Sequence, residues 1–225
     1  MDRSETRRSI LVSPGPVHVF VGRPDGLGEL HHRSAAFRDV VRETTRLLRE
    51  LLRTSSEVHL VTASGTGAME AAVANVTAPG SRALVVSGGK FGDRWAEICD
   101  AYECRTSRMS IPWGKAIDAG EVAETIARER PDAVFVTHVE SSTGLLFPLA
   151  ELCSLLPAGG PLLVVDAVSS VGAEELDMDR WRIDAAVGAS QKSLAAPAGM
   201  SFVALGPRAV SLAGARARGR YYFDL

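Results

Sequence analysis

The amino-acid sequence predicts an α/β protein whose mainly parallel sheet carries helices on both faces. Three observations lead there. Short apolar runs at 58–61, 83–86, 133–136, 162–165 and 185–187 have strand length and no polar alternation, which marks strands buried on both faces. Helical stretches beginning near Thr66, Phe91, Asp118 and Leu149 separate most of these runs, and alternating strands and helices build a parallel sheet covered on both sides. The chain of 225 residues, with 46% apolar and 23% charged side chains, has the balance of a soluble globular protein with a sizeable core.

The elements follow in order. Residues 1–8 are polar and lack the apolar stretch of a signal peptide. Ile10-Leu11-Val12-Ser13 reads as an extended segment broken by the Pro14-Gly15-Pro16 turn, and 22–28 as irregular, so 1–33 form an N-terminal arm. Phe37, Val40, Val41, Leu47, Leu48, Leu51 and Leu52 recur at helical spacing behind a Ser34 cap, which predicts one long amphipathic helix. The alternating strands and helices come next, and the apolar run 200–205 closes them as an edge or antiparallel strand. No repeat or linker interrupts residues 34–225, which read as one large domain.

Charge and cysteine content exclude several classes of function. With 25 basic against 27 acidic residues the chain offers no polyanion-binding excess, which argues against nucleic acid. No segment approaches the ~20 apolar residues of a membrane span, so a cytoplasmic protein is the default. Cys99, Cys104 and Cys153 are odd in number and lack CxxC spacing, which fits reduced thiols rather than a disulfide framework or a zinc site. Only Lys90, Lys115 and Lys192 are lysines among the 25 basic residues, so lysine chemistry has three candidates.

Parallel sheets bind ligands at the carboxyl ends of their strands. Ser64-Gly65-Thr66-Gly67 lies where a strand turns into a helix, either as a capped glycine turn or as a phosphate cradle of backbone N–H groups, hydroxyls and helix dipole. The stretch lacks the P-loop pattern, and Glu70 stands where GxGxxG needs its third glycine. Asp166 ends an apolar run, where a carboxylate is costly unless paired. It serves either as a cap or ion-pair partner, or as the carboxylate that keeps a ring nitrogen protonated. Lys192 follows a small-residue strand end and is either a surface lysine or a partly desolvated nucleophile. Cradle, carboxylate and lysine together fit pyridoxal 5′-phosphate held as a Schiff base.

The chain resembles the class V aminotransferases of fold type I, particularly the alanine–glyoxylate and serine–pyruvate group. The resembling stretches are Pro14-Gly15-Pro16, His32-Arg33-Ser34, 62–71, Gly89-Lys90-Phe91-Gly92-Asp93-Arg94-Trp95, Glu140-Ser141-Ser142-Thr143-Gly144, Val165-Asp166-Ala167-Val168-Ser169-Ser170 and Ser190-Gln191-Lys192. They run through nearly the whole chain in family order. The resemblance implies a seven-stranded sheet, with Lys192 as the lysine that holds the cofactor and moves the substrate proton. It also implies Asp166 against the pyridinium nitrogen, Phe91 stacked on one ring face and Val168 on the other. Ser64, Gly65, Thr66 and Gln191 then bind the phosphate, and Ser141, with Thr143, stands near the ring hydroxyl. For Phe91 core packing is the alternative.

Departures from the family pattern are Ser87 before Gly88-Gly89, the run Ser193-Leu194-Ala195-Ala196-Pro197-Ala198-Gly199 after Lys192, and a short stretch between Pro16 and His32. Relatives continue beyond the counterpart of Tyr221-Tyr222-Phe223-Asp224-Leu225 into a small domain that binds the substrate carboxylate. The expectation is therefore the large-domain half of a split aminotransferase, acting on an amino acid and a keto acid in an oligomer with a second chain that supplies the missing domain. The alternatives are a lyase or decarboxylating enzyme with the same cofactor, and a non-catalytic assembly subunit.

Overall fold

The computed structural model describes residues 30–215 and 221–225, with only the backbone of 213–215. The expectations for the arm, including the Pro14-Gly15-Pro16 turn, fall mostly on residues 1–29 and lie outside the described residues. Helix α1 spans Ala35–Leu52. The Ser34 hydroxyl accepts the Phe37 N–H at 3.1 Å to start it, and Arg53 ends it in the left-handed region at φ 48°. The helix buries Leu48 and Leu52 and displays the ion pairs Arg42–Asp39 and Arg46–Glu43, each worth only a few tenths of a kcal/mol at such exposure.

Beyond α1 the order is β1 (Glu57–Val61), α2 (Gly65–Val76), β2 (Arg82–Ser87), α3 (Lys90–Ala101), β3 (Arg105–Ser110), α4 (Ala119–Glu129) and β4 (Ala133–Thr137). Then come the short hairpin β5 (Val139–Glu140) and β6 (Leu145–Leu146), α5 (Leu149–Leu155), β7 (Leu162–Asp166), β8 (Ala185–Ala189), β9 (Ser201–Leu205) and α6 (Pro207–Ala215). Seven strands form one sheet in the order β1-β9-β8-β7-β4-β2-β3. The pairs from β3 to β8 are parallel, whereas β9 is antiparallel to both its neighbours. The run at 200–205 is thus antiparallel but lies one place inside the edge, because β1 pairs along its outer side. The connection from β8 to β9 contains no helix, so the chain returns beside β8 in the opposite direction.

Strand β3 is absent from the apolar pattern. Its sequence, Arg105-Thr106-Ser107-Arg108-Met109-Ser110, is polar because it forms the far edge of the sheet. Charged side chains there discourage pairing with another chain. The central strands β4, β7, β8 and β9 are buried at every position. One apolar layer joins the sheet to α2 and α3 through Val73, Trp95, Phe135, Val164 and Val187. The other joins it to α1, α4 and α5 through Leu52, Val122, Val136, Leu152 and Val165. Fully burying each Val or Leu contributes about 1.5–3 kcal/mol.

Helix α2 is small and apolar around most of its circumference, as a helix enclosed on several sides must be. Its buried Asn75 donates to Phe223 O at 2.6 Å and accepts from Leu225 N at 3.3 Å, which lays residues 223–225 along the helix. Among the described residues no helix is long and apolar enough to cross a membrane. Cys99, Cys104 and Cys153 form no disulfide.

Candidate active site

The carboxyl ends of β1, β7 and β8 and the first turn of α3 meet around a cavity of about 220 Å³. Eight of the ten residues singled out in the sequence line it: Ser64, Gly65, Thr66, Phe91, Asp166, Val168, Gln191 and Lys192. A larger cavity of about 580 Å³ lies at the amino ends of β2, β4 and β7, beside Arg82, Pro157 and Arg208. Chemistry rather than size distinguishes the two, since only the smaller one holds a lysine, a buried carboxylate and the start of a long helix.

Ser64 caps α2 by accepting the Gly67 N–H at 3.4 Å, which leaves the hydroxyl proton free to donate. The N–H groups of Gly65 and Thr66 belong to the first turn and have no intrahelical acceptor. A Cβ on Gly65 would stand 2.9 Å from Val168 Cγ2, so only glycine lets the Val168 side chain close against the start of α2. The backbone donors, the hydroxyl and the positive helix end suit a phosphate.

Asp166 is the last residue of β7 and is 4% exposed. Its Oδ1 accepts the Val168 N–H at 2.8 Å. Burial raises the carboxyl to about 7, against the stabilising Val168 N–H; the Glu140 charge raises it further, and the positive charges of Arg94 and Lys192 oppose the rise. A buried carboxylate so poorly compensated accepts a cationic partner readily. Gln191 has a buried amide oxygen with no partner. Turning the amide over exchanges O and N at no steric cost and presents a donor there instead.

The two remaining sequence candidates stand behind the wall. The Ser141 hydroxyl is 2.6 Å from that of Ser169, which lines the cavity. Thr143 directs its hydroxyl at the carbonyls of Gly88 and Glu140, both at 3.4 Å, and is not part of the lining.

Four lining residues received no role from the sequence: Met69, Arg94, Val139 and Ser169. The Arg94 guanidinium lies 4.9 Å from the centre of the Phe91 ring and donates to Thr66 Oγ1 at 3.1 Å. Helical spacing is the signal that finds two of them. Met69 stands three residues after Thr66 on α2, and Arg94 three after Phe91 on α3, so each shares a face with a candidate.

The family model for aminotransferase class-V matches residues 21–212. The chain belongs to the class-V aminotransferases. It is 38% identical over 224 residues to a protein of Synechococcus sp. named soluble hydrogenase, small subunit, covering 97% of this chain and 58% of that protein. It is 31% identical to the (S)-ureidoglycine–glyoxylate transaminase of Bacillus subtilis, over 92% of this chain and 50% of the relative. The crystal structure of an alanine–glyoxylate aminotransferase from Nostoc sp. superposes with a TM-score of 0.89 at 30% identity, covering all of this chain and 61% of the other. The chain thus spans about half to three fifths of the length of these relatives.

Pyridoxal 5′-phosphate is the cofactor of class-V aminotransferases, and the cavity fits it. Phosphate donors at the start of α2, an under-compensated carboxylate at Asp166, the apolar side chains of Phe91 and Val168 in the lining, and the Lys192 amine match its four chemical features.

Proposed function

We propose that this class-V chain forms the cofactor-binding domain of an aminotransferase that moves an amino group from an amino acid to a keto acid. The observation that carries the reading is the convergence of Lys192, Asp166 and the Ser64–Thr66 turn on one cavity.

When bound, pyridoxal 5′-phosphate supplies a carbonyl that takes up the amino nitrogen and a ring that draws electrons from the substrate α-carbon. The chain supplies the rest. Ser64, Gly65, Thr66 and Gln191 hold the phosphate, and the α2 dipole favours its charge. Asp166 holds a proton on the ring nitrogen, where a carboxylate in a dry site acts strongly because little water screens it. Phe91 and Val168 fix the ring plane. Ser141 and Thr143 orient the ring hydroxyl, Ser141 through its contact with Ser169 and Thr143 through the turn that it braces. Lys192 Nζ would hold the cofactor covalently and, as a free amine, would move the proton at the substrate α-carbon.

The partner in this proposal is the domain that makes up the remainder of the longer relatives, placed on a second chain in an oligomer. That domain supplies the grip on the substrate carboxylate. The test is amino transfer by the full 225-residue chain, assayed alone and together with candidate partner chains. Transfer that depends on a second chain supports the arrangement, and full turnover by this chain alone contradicts it. Either way, replacing Lys192 with alanine is expected to reduce turnover by several orders of magnitude, about 10²–10⁴ of which is the proton transfer alone.

A further inference from the structure

Helix α3 begins without a cap of its own. Its first residue follows Gly89, which has no side chain to offer, whereas Ser34, Ser64 and Asp118 cap α1, α2 and α4 from adjacent positions. The N–H groups at the start of α3 are met instead by residues some fifty positions later in the chain. Glu140 Oε2 accepts both Phe91 N–H and Gly92 N–H at 3.0 Å. Ser142 Oγ accepts Lys90 N–H at 3.0 Å and donates to Glu140 Oε1 at 2.6 Å, and Ser142 N–H reaches the same oxygen at 3.1 Å. Glu140 is 2% exposed, yet both its carboxylate oxygens have donors. A Cβ at position 89 would lie 2.4 Å from Ser142 Oγ and 2.7 Å from Glu140 Cγ and Cδ, so the glycine is the complement of this carboxylate.

We propose that Glu140 is a positioning residue for the cofactor site, binding the first turn of α3 to the β5 segment and thereby setting where the Phe91 ring and Ser141 stand. Phe91 is mounted on the turn that the carboxylate holds, and Ser141 is the next residue along the chain from it. Helices α1, α2 and α4 show that an adjacent side chain is enough to satisfy a helix end. The remote carboxylate does something a local cap does not, since it fixes the distance between two elements that flank the cavity. Its charge also acts on Asp166 across the site, in the direction that raises the carboxyl.

The inference rests on the proposed cofactor chemistry, and the experiment separates the two. The dissociation constant of pyridoxal 5′-phosphate is measured by visible absorbance for the full chain and for Phe91→Ala, Glu140→Gln, Glu140→Ala and Phe91→Ala/Glu140→Ala. Glu140→Gln keeps the volume if the alanine variant does not fold, and amide hydrogen exchange at the start of α3 is followed in parallel. The expected result is at least tenfold weaker binding in both Glu140 variants, with protection at Phe91 and Gly92 lost in Glu140→Ala but kept in α2. In the double variant the loss should fall short of the product of the two single losses by about threefold or more, because Glu140 acts in part through the ring. Wild-type affinity in Glu140→Gln with protection intact, or losses that multiply in the double variant, overturns the proposal. A wild-type chain that binds no pyridoxal 5′-phosphate overturns the functional reading and this inference with it.

Discussion

Burial shifts Asp166 and His138 in opposite directions, so their contributions to the pH dependence of stability oppose each other. Burial lifts the Asp166 carboxyl from 3.8 to about 7. Between those values the folded state holds a proton that the unfolded state lacks, so the stability Asp166 contributes is lost as pH rises through about 7. His138 is 3% exposed, packs edge-on against Trp181 at 6.4 Å and has no partner for Nδ1. Burial lowers its imidazole from 6.5 to about 4, so its contribution is lost as pH falls through about 4. Each shift corresponds to a few kcal/mol. In the cofactor-free wild type these two groups together are expected to add little net slope to the stability between pH 4 and 6.5, where their slopes oppose. Asp166→Asn should then lose stability on acidification through this window, and His138→Leu should lose it as pH rises. Denaturant midpoints at four or five pH values decide the matter, and equal profiles in all three proteins would refute it.

Residue types also explain which site residues the sequence disclosed. Lys192 stood out because lysines are scarce, and Asp166 because a carboxylate closes an apolar strand. Arg94 and Glu140 carried no such contrast. The chain has 22 arginines, and Glu140 reveals its role only through N–H groups about fifty residues away.

At the scale of elements, the site depends on how tightly α2 and α3 seat against the strand ends. Gly65→Ala would put a methyl group 2.9 Å from Val168 Cγ2, between the phosphate turn and the wall of the ring slot. The expected cost is ~1–3 kcal/mol of stability, the range for overpacking a filled site. Cofactor affinity should fall in parallel, because the methyl group displaces Val168. Thermal unfolding with and without pyridoxal 5′-phosphate measures both effects, and an unchanged cofactor-induced shift would show that the two elements are not coupled in this way.

Among the strands that the sequence revealed, β4, β7, β8 and β9 are buried at every position, whereas β1 shows itself through Val58, Leu60 and Val61 although it lies at an edge. Those that it hid have physical reasons for being hidden. Strand β3 pairs on one side only and displays polar side chains. The hairpin of β5 and β6 has strands of only two residues each, which flank residues 141–144, where turn residues mask it. The place of β9 inside the sheet follows from its long-range pairing with β1, which no local pattern encodes.

At the scale of the molecule, two apolar layers hold seven strands so that distant loops converge at one end of the sheet. The arrangement gives Lys192 a setting that Lys90 and Lys115 lack. Lys90 lies 5.7 Å from the Trp113 ring, on the outer side of the α3 start, and neither it nor Lys115 lines the cavity. The most direct test of the account is therefore to load the full chain with pyridoxal 5′-phosphate, reduce it with borohydride and locate the adduct by peptide mass mapping. The account predicts a single pyridoxyl group on Lys192, absent from Lys192→Ala. No adduct, or one on Lys90 or Lys115 that persists in Lys192→Ala, would contradict it.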